Sequence, residues 1–157
     1  MMQEPQATSA SLPPAAEWYA DGLRFECTQC GNCCTGPPGY VWVDDEELAA
    51  IAAVLDLTPA QVKAQFTRPL GNHRSLTETR SEHGYDCVFL DRDSQPGKAL
   101  CRVYRARPRQ CRTWPFWPEN VQHPRDWQRA ARTCPGIDHG PLIPIESIRI
   151  QRDATPQ

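Results

Sequence analysis

Four of the eight cysteines in this 157-residue chain fall within eight residues, Cys27-Thr28-Gln29-Cys30-Gly31-Asn32-Cys33-Cys34. Core packing does not call for that density, because a buried Cys behaves as a small hydrophobe. Clustered thiols suit either a metal or iron–sulfur site or a disulfide framework. In C-x2-C a tight turn can fold two sulfurs onto one ion, and Gly31 after Cys30 supplies backbone freedom for such a knuckle. Cys33 follows after two more residues, so three sulfurs can wrap one centre. The C-x2-C-x2-C run equals the first part of the bacterial ferredoxin run, whose last Cys precedes Pro. Here a Cys-Pro pair stands far downstream, at Cys134-Pro135. Adjacent Cys33 and Cys34 are awkward ligands for a single ion. They suit two centres, or one of them is left as a reactive or simply buried thiol.

The remaining cysteines are Cys87, Cys101, Cys111 and Cys134, so all eight are candidate ligands. All-thiolate ligation suits Zn²⁺ or iron–sulfur and disfavours Mg²⁺ and Ca²⁺. The ferredoxin-like triplet and an Arg-rich, aromatic surround tilt the choice slightly toward iron–sulfur. Met1–Glu17 lacks a basic start and an apolar run, and no stretch approaches 18 apolar residues. Those features predict neither a secretory signal nor a membrane span, and hence a cytoplasmic protein. Disulfides are rare there, which favours the metal reading.

The net charge of -2 argues against a general polyanion binder. Charge is unevenly placed: residues 1–100 carry 7 basic and 14 acidic side chains, residues 101–157 carry 10 and 5. Arg102, Arg105, Arg107, Arg109 and Arg112 crowd one segment, followed by Trp114, Phe116 and Trp117 among prolines. Basic and aromatic residues together can bind single-stranded nucleic acid. Because the same segment carries Cys111, Arg against thiolates and aromatics covering a cluster is the preferred reading, and nucleic acid is disfavoured. His73, His83, His123 and His139 read as ordinary surface or capping residues. Of these, His139 is the candidate for a Cys₃His site.

The elements that must position the thiols are short. Residues 1–16, rich in Pro, Ala, Ser and Gln, read as a disordered leader, and 17–152 as one cysteine-cluster domain. Trp18–Phe25 is expected to pack on the cluster, and Tyr40–Val43 to form a short strand. Asp44 with Glu47 three residues on is a capping box opening a helix with Leu48, Ile51, Ala52 and Leu55 on its apolar face. Thr58-Pro59 opens a second helix that buries Val62 and Phe66. Strands are expected at Leu76–Arg80, at Cys87–Leu90 and, antiparallel to the latter, at Ala99–Tyr104, so that a hairpin brings Cys87 near Cys101. Arg107-Pro108 begins a turn or short helix presenting Cys111. A helix is expected over about Asp126–Thr133, and the segment after Pro144 suits either helix or strand. The fold class is α+β: a small, loop-rich domain with short helices and a hairpin or small sheet around a cysteine metal centre. With 16 prolines and a modest apolar share, such a core would lean on its metal, since structural zinc contributes about 10–16 kcal/mol in small finger domains.

Taken in order, Phe25, Cys27-x-x-Cys30-Gly31-x-Cys33-Cys34, Cys87-Val88-Phe89-Leu90, Cys101-Arg102-Val103-Tyr104 and Arg107-Pro108-x-x-Cys111-Arg112-Thr113-Trp114-Pro115-Phe116 resemble the YkgJ-type CxxCxxCC cysteine-cluster family. A late Cys, here Cys134, also fits. Val88 and Val103 stand where the family pattern has Pro and Ile. The resemblance implies a bound zinc, iron or iron–sulfur centre and no settled activity. A similar cluster occurs in flagellin lysine methylases, but this chain is too short to add a methyl-donor domain. Three functions follow. One is a metal-binding protein in electron transfer, redox sensing or metal handling. The second is a metal- or thiol-dependent enzyme in which Cys34 is a spare nucleophile. The third is a structural-zinc module binding nucleic acid or an unassigned protein partner.

Overall fold

The computed structural model describes residues 16–156; most of the leader segment lies outside the described residues. The chain is a small α+β domain. Helices and four two-stranded antiparallel sheets are strung on long loops.

In chain order the elements begin with β1 (Leu23–Phe25) and the 3-10 turn Asn32–Cys34. Helix α1 (Asp45–Leu55) follows, closed by the expected capping box: Glu47 N–H donates to Asp44 Oδ1 at 2.8 Å and Asp44 N–H to Glu47 Oε2 at 3.0 Å. Helix α2 (Pro59–Phe66) is capped alike by Thr58 and Gln61. Then come the hairpins β2 (Thr67–Leu70) with β3 (His73–Leu76), and β4 (Glu78–Ser81) with β5 (Gly84–Cys87). The short pair β6 (Leu90–Asp91) and β7 (Leu100–Cys101) sets Leu90 opposite Cys101. A 3-10 turn at Tyr104–Ala106 leads to α3 (Arg109–Arg112), α4 (Pro118–Val121), α5 (Pro124–Ala131), β8 (Ile137–Ile143) and α6 (Ile145–Ala154).

Several expectations are corrected. Tyr40–Val43 is not a strand; it makes a single bridge, Trp42 to Ser75. Its apolar side chains serve packing, with Val43 buried beside α1. The strand expected at Cys87–Leu90 is broken: Cys87 ends β5, Leu90 opens β6, and Val88-Phe89 is a turn between them with Phe89 wholly buried. The strand expected at Leu76–Arg80 is broken at Thr77, which separates β3 from β4. The segment after Pro144 is helical: Ile148 is fully buried while Ile150 is 70% exposed.

Apolar burial forms two clusters. The first joins α1 and α2 to Leu76, Phe89, Val103 and Ala106. The second joins Tyr19 and Leu23 to Phe116, Val121, Trp127, Ala130, Ile137 and Ile148. Tyr19 and Leu23 therefore pack into this second cluster, and it is Phe25 that borders the cysteines. Cys87 and Cys101 lean on the first cluster, Cys134 on the second. The cysteines thus gather at the seam between two small cores. No helix of the described residues is long and apolar enough to cross a membrane.

Candidate metal centre

The knuckle Cys27–Cys34 is fastened on three sides by hydrogen bonds. On the first side, Glu26 N–H donates to Gly136 O at 3.1 Å and Asn32 Nδ2 to Thr133 O at 2.9 Å. These bonds draw the turn that carries Cys134 against the knuckle. The approach is so close that a Cβ on Gly136 would stand 2.0 Å from Glu26 O. On the second side, Ala99 N–H donates to Gln29 O at 2.9 Å, which holds the strand leading to Cys101. Gly31 faces that strand with φ 75°, and a Cβ there would meet Ala99 Cβ at 2.5 Å. On the third side, Tyr85 N–H donates to Gly36 O at 2.8 Å, which ties the loop after Cys34 to β5 and so to Cys87.

Cys111 is placed from another direction. Its helix starts where Arg109 N–H donates to Glu47 Oε1 at 2.6 Å. The buried Gln110 side chain bridges Tyr40 O and the Trp42 N–H. The acidic first turn of α1, read from sequence as a helix start, therefore also orients the cysteine of α3.

The eight thiols, all unbridged, line two adjoining clefts between them, and Cys33, Cys34 and Cys87 also line a further hollow of about 120 Å³. A cleft of about 320 Å³ is lined by Cys27, Cys33, Cys34, Cys87, Cys101 and Cys111. A narrower one, about 30 Å³, is lined by Cys27, Cys30, Cys33 and Cys134. Cys27 and Cys33 lie on the shared wall. A wider, more open hollow of about 770 Å³, beside Glu17 and His123, contains no thiol. As the thiols stand, no three His, Cys, Asp or Glu side chains among the described residues converge closely enough to clasp one ion. Binding would require the side chains to turn inward.

Electrostatics tie the larger group together. The hydrogen bond shared with Cys34 holds the Cys33 thiol down at about 7, against the effect of burial, with help from the Arg107 guanidinium. The same bond pushes Cys34 up, and burial and the charges of Cys33, Cys87 and Cys111 push it further. Burial pushes Cys87 up to about 11 and raises Cys111 and Cys101 as well. Opposing this, the backbone of Phe89 lowers Cys87 and that of Val103 lowers Cys101, each two residues on. Crowded thiols cannot all ionise alone, because each thiolate penalises the next. A bound cation removes that penalty, and metal uptake would release the protons.

Arg107 lines the larger cleft and lies over the Tyr104 ring at 3.9 Å, and Trp114 and Trp117 form another wall. Phe116 turns away into the second core. His73, His83, His123 and His139 are exposed and line neither cleft. Reading the sequence missed Gln110 and Glu47 as parts of the site; Glu47 was marked only by its capping spacing, and Gln110 by nothing local.

The family comparison agrees with this geometry. A model described as "Putative zinc- or iron-chelating domain", CxxCxxCC, matches residues 26–135, over two thirds of the chain. The chain belongs to the CxxCxxCC family. The matched span runs from the residue before Cys27 to the residue after Cys134, so every cysteine of this CxxCxxCC protein lies inside it. No solved structure matches the chain.

Proposed function

We propose that this CxxCxxCC protein holds two tetrathiolate centres. Cys27, Cys30, Cys33 and Cys134 form one, and Cys34, Cys87, Cys101 and Cys111 form the other. The observation that carries the reading is the pair of adjoining clefts with Cys33 on the common wall. Assigning Cys33 to the narrow cleft and Cys34 to the wide one gives each centre four sulfurs. This division also resolves the awkwardness of vicinal ligands.

The donor set fits zinc or iron–sulfur, both of which take four thiolates. Iron–sulfur is favoured by the ferredoxin-like triplet completed by a remote Cys-Pro, and by the Arg107 and aromatic lining of the larger cleft. An iron–sulfur centre supplies one-electron transfer, which fits electron transfer or redox sensing; zinc would make the sites structural or a store. The protein's own part is to hold the sulfurs between two cores, offset their charge with Arg107, and exclude water with Trp114, Trp117 and Phe89.

The test is metal and acid-labile sulfide analysis, with a visible absorption spectrum, on protein purified without oxygen. Iron with equimolar sulfide and a visible charge-transfer band supports the iron–sulfur form. Zinc without sulfide or colour supports the structural form. Neither metal in a folded protein overturns the reading.

A further inference from the structure

Trp114 presents a buried indole N–H that has no hydrogen-bond partner among the described residues. Leaving such a donor unpaired costs about 1–3 kcal/mol, so an orphan in a folded chain calls for an explanation. The other indoles of this region show the contrast. Trp117 Nε1 donates to Gln110 O at 2.8 Å, Trp127 Nε1 to Asp138 Oδ1 at 2.8 Å, and Trp18 Nε1 to Val121 O at 2.7 Å. The Trp114 ring is also fixed in place. It stands edge-on to Trp117 with centroids 4.9 Å apart, and buried Thr113 and Pro115 flank it in the chain. It lines both cysteine clefts.

Those walls contain many sulfurs, yet none of the thiols as they stand accepts from the indole. Phe would fill the same apolar space and leave no donor unpaired. The partner is therefore something that enters the clefts, or a thiol that moves when it does. Resting on the metal-centre reading above, we infer that Trp114 Nε1–H donates a hydrogen bond to a sulfur of the loaded centre, bridging the two cysteine groups from their common wall. The acceptor is a metal-bound thiolate or an inorganic sulfide, since both keep lone pairs after binding metal. Donors placed behind a metal ligand commonly tune its affinity and hold its orientation. Trp114 is in this sense a positioning residue for the centre.

The test uses the full chain in three forms: metal-free, loaded with zinc alone, and reconstituted with iron and sulfide. The ultraviolet Raman band that reports indole N–H hydrogen bonding is read as the difference between the native chain and Trp114→Phe. The Trp114 band should move to its bonded position on loading. Movement with zinc alone identifies a thiolate as acceptor, and movement only with iron and sulfide identifies sulfide. Loaded Trp114→Phe should also release metal to a chelator about two- to tenfold faster, the range expected of one hydrogen bond. A band unmoved in both loaded forms overturns the inference while leaving the metal centre standing. That measurement can also be made on the native chain alone, from its loaded-minus-unloaded spectrum, so it survives a variant that does not fold. A native chain that takes up neither metal removes the centre itself, a separate result.

Discussion

The Sγ atoms of Cys33 and Cys34 lie 3.6 Å apart, sharing a hydrogen bond and not joined as a disulfide. A disulfide would need them at about 2.0 Å. Neighbours in sequence, they stand at the boundary between the two clefts. Cys33→Ser and Cys34→Ser should therefore each lose about one centre's metal, and different centres. Cys134→Ser should match the first in residual spectrum, and Cys111→Ser the second. Metal analysis of the four variants checks this. Full metal in Cys34→Ser would remove Cys34 from the ligand set and favour the spare-thiol enzyme.

Gly31 is the tightest point between the knuckle and the β6–β7 pair. Gly31→Ala should destabilise by about 1–3 kcal/mol, from a left-handed backbone and a forced contact. Urea unfolding reads the loss. Adding Ala99→Gly should recover the contact part and leave the backbone part.

Glu47 serves two donors, the Asp44 N–H and the Arg109 N–H. Asp44→Ala removes a helix cap and an exposed ion pair to the Arg109 side chain at 3.3 Å, and should cost about 1 kcal/mol while leaving the Arg109 N–H on Glu47. Glu47→Ala frees the start of α3 as well, so it should both destabilise the fold and speed metal loss to a chelator. Equal metal-release rates in the two variants would count against a role for Glu47 in placing Cys111.

Glu17 accepts from Arg149 and Arg152 on α6, and these hydrogen bonds hold its carboxyl down at about 2. A carboxylate whose folded pKa is depressed stabilises the fold above its unfolded value, and the gain fades as pH falls through the folded one. The window here runs from the ordinary value, 4.5, down to about 2. Glu17→Gln should lower the melting temperature at neutral pH, and its deficit against the native chain should shrink through that window. Comparing the two proteins at each pH cancels any acid loss of metal common to both.

How much of this was legible beforehand depends on the range of the interaction. The capping boxes at Asp44/Glu47 and Thr58/Gln61 are signals within four residues, and both helices start where those signals lie. The Thr67–Leu76 hairpin was missed because its strands carry Arg68, Pro69, His73 and Arg74, and only Gly71-Asn72 hints at a two-residue turn. Cys87–Leu90 misled in its middle, because the deeply buried Phe89 ring makes the Val88-Phe89 turn look like continuous strand. Strand β8 contains Asp138, Gly140 and Pro141 and pairs with β1 through a register shift, which no local pattern announces. The cysteines themselves stood out, but their grouping into two clefts depends on contacts such as Asn32 to Thr133, 101 residues apart.

That last separation has a consequence for how the protein is made. Leu23 pairs with Ile143, and Tyr19 shares a core with Trp127 and Ile148. The knuckle leaves the ribosome about 100 residues before Cys134 and the strand that closes behind it. At ordinary synthesis rates of about 5–20 residues per second, the three knuckle thiols of the proposed Cys134 centre would wait roughly 5–20 s for their fourth. During that interval the nascent chain is an open hook, exposed to oxidants and to whichever thiol-seeking ion is most abundant. Correct loading of the proposed centre would therefore be a race against time as much as a matter of affinity, settled only when Cys134 arrives.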